Sequence, residues 1–256
     1  MEVHHHPHGH GKKKFKDYLL ESFMLFLAVT LGFLAENLRE HLTEVKKEKE
    51  YIASFIEDLQ KDTADISSTS KLLFKNIHEE DSLIYLLQHY SNTDSINKKC
   101  YRYYLRSAVN VAFVTFNHNT LDQLLNTGSV RLIGKQKIMD SIMAYNGFTK
   151  GVDVQGEYYN DEFKKAFDYS TNIFDLSFIH FRLNDDYTVK PTMRYDTAHF
   201  KLVSTDPEVL RKYAAYLIMQ QNLSSSYVLQ LKAARQNAER LIALLSKEYH
   251  LKKDEN

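Results

Sequence analysis

The chain runs from residue 18 to residue 90 without meeting a proline, and this stretch begins apolar and continues as a charged helix pattern. Residues 18–35, YLLESFMLFLAVTLGFLA, carry one charge, Glu21. At about 1.5 Å per residue the run covers roughly 27 Å, close to the ~30 Å hydrocarbon core of a bilayer. Beyond it, Leu38, Leu42, Val45, Lys49, Ile52, Ile56, Leu59, Thr63, Ile66, Ser70, Leu73, Ile77, Glu80, Ile84 and Leu87 recur at strict 4-3 spacing. Most are apolar, so one face of a long helix stays greasy while the others are polar. The stretch reads as a transmembrane helix over residues 18–38 continuing into a stalk.

A stripe of that length needs a cover, and the rest of the chain offers helices to supply it. Eight glycines and three prolines in 256 residues leave little turn chemistry, which favours long helices over sheets. The expected fold class is therefore all-α, with the transmembrane helix leading into an antiparallel long-helix bundle with coiled-coil-like packing over residues 39–256. The 33 basic and 33 acidic residues cancel, which removes the electrostatic case for a nucleic-acid partner. A lone cysteine, Cys100, excludes an internal disulfide and leaves pairing between two chains as the minor alternative to a packed thiol.

Ahead of the span, residues 1–17 form a tail rich in His and Lys. His4, His5, His6, His8 and His10 lie close enough together to chelate Zn²⁺, Ni²⁺ or Cu²⁺, although a solvated tail is the plainer reading. Lys12, Lys13, Lys14 and Lys16 sit directly beside the apolar run, and such residues are retained on the cytoplasmic side. On the other flank Arg39, Lys46, Lys47 and Lys49 are diluted by glutamates. The N-terminus is thus expected in the cytoplasm and the main domain outside it, with the inner membrane of a bacterium as the location. A cleaved signal peptide fits poorly, because Phe33-Leu34-Ala35 puts a large ring where a small residue belongs. Ala28 and Gly32 would permit close helix approach, and Glu21 is near enough to the basic flank to reach the interface.

Downstream, the polar cluster at residues 91–95 ends the first helix, and a second is expected over 96–113, with Tyr101, Tyr104, Leu105 and Ala108 at core spacing. Asn119 to Asp122 can cap a short helix ending at Thr127-Gly128, and SVRLI reads as extended. Another helix keeps 4-3 spacing through Ile138, Ile142, Tyr145, Thr149, Val152, Gly156, Tyr159, Phe163 and Ala166. Residues 176–204 lose all periodicity and read as a long loop. Thr205-Asp206-Pro207-Glu208 then opens a last helix, whose spacing continues from Leu210 through Tyr213, Gln220 and Tyr227 to Leu245.

Catalytic signatures are scarce. Gly128 to Lys135 resembles a phosphate loop but has one residue too many and no Ser or Thr for Mg²⁺. None of His41, His78, His89, His118, His180, His199 and His250 follows a glutamate at the spacing of a di-iron bundle; Asp196 and His199 come nearest, in the 176–204 segment. The sequence also lacks a His-Glu-x-x-His pair and a Gly-x-Ser-x-Gly elbow. No catalytic residue and no cofactor are implied.

The opening MEVHHHP, the KKKFKDYLLE flank with the span SFMLFLAVTLGFLAENLREHL, the stalk KEKEYIASFIEDLQKD, and the segments LLNTGSVRLI and TDPEVLRKYAAYLIMQQNLSSSY resemble bacterial single-span membrane proteins of no assigned activity. The resemblance implies a membrane anchor and a helical domain and carries over no functional residue. The expected function is a non-enzymatic interaction, scaffold or signal-transmitting module, its partners the lipid bilayer and either another protein or a second copy. Two alternatives stand beside it: metal binding by the histidine tail, and an enzyme with a site in residues 176–204 that uses Arg182 or Asp185.

Overall fold

A computed structural model describes residues 14–177 and 200–251 in full, and the backbone alone of 179–183 and 189–193. Its helices are α1 (Phe15–Gln88), α2 (Asp94–Arg106), α3 (Asn119–Asn126), α4 (Gln136–Ser170) and α5 (Pro207–Tyr249), with a 3-10 turn at Ser129–Leu132. The fold class is all-α, as the sequence indicates. The chain divides into two units, Met1–Tyr51 and Ile52–Asn256. The first consists, among the described residues, of the opening part of α1.

In the second unit α1, α4 and α5 are the long rails. Their apolar residues are buried at the spacing read from the sequence: Ile52, Leu59, Ile66 and Leu73 on α1, Ile142, Val152 and Tyr159 on α4, and Leu217, Leu231 and Leu245 on α5. The α4 and α5 rails are antiparallel, because Lys135 meets Glu248 at one end while Tyr169 stacks on Tyr213 near the other. α1 runs alongside α4 in the same direction, with Asp62 bonded to Tyr145, and Leu87 sharing a core cluster with Ala166. α5 opens with Asp206 accepting from the Glu208 N–H and proline in its first turn.

The fourth rail is not a helix. The sequence reading carries the second helix to residue 113, whereas α2 stops at Arg106. There the Asn110 side chain turns back to donate to the Arg106 carbonyl at 3.0 Å. The following V-A-F-V-T-F run alternates: Ala112, Val114 and Phe116 are buried while Val111, Phe113 and Thr115 are exposed. β-branched and aromatic residues in period two favour extended backbone over helix. This segment lies antiparallel to α1 and has no neighbouring strand among the described residues, so its backbone polar groups are met by side chains. Asn76 donates to the Asn110 carbonyl (2.8 Å), Val114 N–H donates to the Tyr227 hydroxyl (3.0 Å) and Asn117 N–H donates to Asp62 (2.9 Å). Tyr159 receives the Ala112 N–H in the same way.

α1 accordingly buries a second row, Phe55, Asp62, Asn76 and Leu83, with half-buried Thr69 between, at seven-residue intervals beside the apolar heptad. Gly156 allows the close approach of Tyr227, since a Cβ there would lie 3.2 Å from its hydroxyl.

Two further expectations change. SVRLI, expected extended, forms the 3-10 turn Ser129–Leu132 after Gly128, whose φ of 67° is left-handed and suits a glycine at the end of α3. Residues 176–204, expected as loop, contain an antiparallel pair, β1 (Ile179–Leu183) and β2 (Val189–Met193), with Ile179 opposite Met193 and Leu183 opposite Val189. Pro191 suggests irregularity in the sequence, yet a two-stranded ribbon consists of edges, where proline is tolerated. The base of this excursion is tied to the bundle by the Phe174–Leu202 bridge. The Tyr101 hydroxyl accepts from Asp175 N–H at 2.8 Å and donates to the Lys201 carbonyl at 3.0 Å.

Asp62→Ala should destabilise the bundle by about 2–4 kcal/mol, because it strands the Asn117 amide groups and the Tyr145 hydroxyl in the interior. Asp65→Ala, on the exposed side of the same helix, should stay within about 0.5 kcal/mol. Urea unfolding of the two variants reads the difference; equal midpoints would remove the role assigned to Asp62.

Candidate functional site

Two parts of the molecule break the ordinary rule of apolar inside and polar outside, and they lie in different units. In the first unit, Leu25, Phe26, Val29 and Phe33 of α1 are 64%, 66%, 69% and 67% exposed. Phe23, Met24, Leu27, Leu31 and Leu34 are exposed as well. Residues 23–27 are consecutive, and at about 100° per residue they point in every direction around the helix. A surface helix of a soluble domain carries a stripe, whereas a helix apolar all round belongs in a protein core or in lipid. No part of the described protein covers this segment, and α1 is a helix long and apolar enough to cross a membrane.

In the second unit the anomaly is inverted, with three carboxyls of α1 in the interior. Two of them have matched donors. Asp58 accepts from the Thr120 N–H (3.2 Å) and hydroxyl (2.6 Å), closing the first turn of α3, where His118 makes no side-chain cap. Asp62 accepts from the Asn117 backbone and side-chain N–H groups (2.9 and 2.8 Å) and from the Tyr145 hydroxyl (3.1 Å). Burial raises the Asp62 pKa, and the bonds from Asn117 and Tyr145 pull it part of the way back. Nearby, Asp153 on α4 is also raised by burial, with His118 at 3.6 Å opposing the shift.

The third carboxyl is different. Glu80, 1% exposed, receives one hydrogen bond, from the Gln220 side-chain amide of α5 at 2.7 Å. Its second oxygen, Oε2, has no partner, and neither has Gln220 Oε1. Burial pushes the Glu80 carboxyl up to about 8, and the like charge of Asp81 adds to the shift. Asp58 and Asp62 therefore act as staples for the extended rail and the α3 turn, while Glu80 is the one of these three carboxyls whose bonding is incomplete.

The residues singled out in the sequence are distributed as follows. His4, His5, His6, His8 and His10 lie outside the described residues, as do Asp185, Asp196 and His199. Arg182 falls in β1. Among the described residues no group of three or more His, Cys, Asp and Glu is placed to hold a metal ion. Cys100 is 0% exposed and its thiol is pushed up to about 12 by burial, which leaves it neither a nucleophile nor an accessible partner for a second chain. Asp58, Asp62 and Asn76 escape the sequence reading because they stand beside the apolar heptad. The seven-residue spacing from Phe55 to Asp62 and from Asn76 to Leu83 is the signal that finds two of them, whereas Asp58 stands outside that row.

Comparison with known proteins finds no matching family model, no matching curated protein and no matching solved structure. The functional reading therefore rests on the residues themselves.

Cys100 should resist maleimide in the folded full-length protein and react fully once the bundle is unfolded in guanidinium. Mass spectrometry measures this, and rapid native labelling would contradict its burial between α2 and the core.

Proposed function

We propose that this protein is a single-pass membrane-anchored helical module of the bacterial inner membrane, non-enzymatic, that binds a partner protein or envelope component and scaffolds or transmits a signal. The observation that carries the reading is the uncovered, all-round apolar surface of residues 18–35, which lipid alone satisfies without another protein. Burying a Leu, Phe or Val side chain contributes about 1.5–3 kcal/mol, so this segment would be strongly unfavourable in water. Set against that, the single carboxyl, Glu21, costs about 2.5–3.5 kcal/mol at mid-bilayer and less near an interface. Insertion wins by a wide margin.

Orientation follows from Lys12, Lys13, Lys14 and Lys16, which favour a cytoplasmic N-terminus with residues 39–256 on the far side. The resemblance to single-span bacterial membrane proteins implies the membrane anchor and the helical domain. The module reading draws on the continuity of α1 as one helix, Phe15–Gln88, and on the absence of catalytic motifs from the sequence.

Full-length protein should stay in the membrane pellet through alkaline carbonate extraction, whereas Leu25→Arg with Phe26→Arg should shift it substantially to the supernatant. A periplasm-active reporter fused after residue 256 should be active. Wild-type protein in the carbonate supernatant would sink the anchor, and a fusion active solely in the cytoplasm would reverse the orientation. Purification in mild detergent should retain a stoichiometric partner, and a bare monomer would count against the interaction module.

A further inference from the structure

Glu80 and Gln220 join α1 to α5 through half of a two-bond pairing. One bond is made, from Gln220 Nε2 to Glu80 Oε1 at 2.7 Å. The two atoms left over, Glu80 Oε2 and Gln220 Oε1, are both buried and both without a partner. They are the atoms that would complete a cyclic acid–amide pair. As long as the carboxyl is ionised, both are acceptors and no bond between them is possible. A proton on Oε2 makes one of them a donor. Turning the amide over does not help an ionised carboxylate, since it brings the amide oxygen to the position from which Nε2 now donates.

The surroundings supply no positive charge to balance the carboxylate. α5 contributes the fully buried Tyr213, whose hydroxyl also lacks a partner, and α4 contributes Tyr159. On α1, Asn76 stands one turn away with its own side-chain oxygen unpartnered, and the charge acting on Glu80 is Asp81, of the same sign. These neighbours are neutral or negative, and among the described residues no cation acts on Glu80. An unpaired carboxylate in such a place is far costlier than the neutral acid.

We propose that Glu80 is a proton-binding site between α1 and α5, and that the bound proton closes the acid–amide pair with Gln220 and so locks α5 onto α1. Losing the proton leaves two buried acceptors facing one donor and weakens the contact. The neighbouring bonds from Gln221 to the Ile77 carbonyl (3.0 Å) and to Asp81 (2.7 Å) belong to the same joint between the helices and loosen with it. This proposal concerns the bundle alone and stands independently of the membrane reading of residues 18–35.

The sign of the pH dependence follows from the raised pKa. A carboxyl ordinary in the unfolded chain and near 8 in the folded one holds its proton more tightly when folded. Its contribution to stability is therefore fully present below about pH 4.5 and is lost progressively as pH rises towards 8, after which it changes no further.

The test uses full-length protein in detergent micelles or nanodiscs. In wild type carrying carbonyl-labelled glutamate, one carboxyl should titrate near pH 8 by carbon NMR, and that signal should be missing from Glu80→Gln. Thermal unfolding of wild type between pH 5 and 8.5 should lose roughly 5–10 °C more than Glu80→Gln loses over the same interval. Gln220→Leu should move the Glu80 titration without abolishing it. A wild-type spectrum in which every glutamate ionises below about pH 6 overturns the proposal even if Glu80→Gln fails to fold. So do parallel pH profiles for wild type and Glu80→Gln.

Discussion

The bundle depends on a backbone that has nothing to pair with. The extended stretch after α2 takes a place that a helix would fill in a four-helix bundle, and a helix would satisfy its own N–H and C=O groups. An extended chain between helices cannot. Each buried amide left unmet would cost about 1–3 kcal/mol, so the rail is stable only because Asn76 and Asp62 of α1, Tyr159 of α4 and Tyr227 of α5 reach it. The same requirement explains why polar residues sit in the interior of α1. Asp58 extends it by closing the first turn of α3 through Thr120.

This arrangement separates the buried carboxyls by role. Asp58 and Asp62 are surrounded by donors and hold loop to helix. Glu80, on the apolar heptad itself, faces a neutral amide and two tyrosines, and holds helix to helix. A carboxyl with too few donors answers to protons, whereas one with enough donors answers to the loss of its partners. The second unit thus carries both structural and titratable acids within a few turns of one helix.

Helical periodicity was the most legible part of the chain. Every position named at 4-3 spacing on α4, from Ile138 to Ala166, is buried, as are Leu210, Tyr213, Gln220, Tyr227 and Leu245 on α5. The turn signals at Gly128 and at Asp206-Pro207 also appear where the residues place them. Less legible was any segment whose partner is distant. The V-A-F-V-T-F run suits a strand locally, but strands are expected to have strand neighbours, and the reading extended α2 through it. The hairpin at β1 and β2 was missed because Pro191 breaks the pattern of a central strand and is harmless in a ribbon.

The sequence by itself determined the class of fold, the three helical rails, the cap of α5 and the apolar span, because each of these follows from interactions among residues within a few turns of one another. Which carboxyl would be matched and which left short was decided by tertiary structure alone. Asp62 lies 55 residues from Asn117, and Glu80 lies 140 residues from Gln220. No local pattern reports the donors that distant elements bring, and the ionisation of a buried acid depends on just those donors.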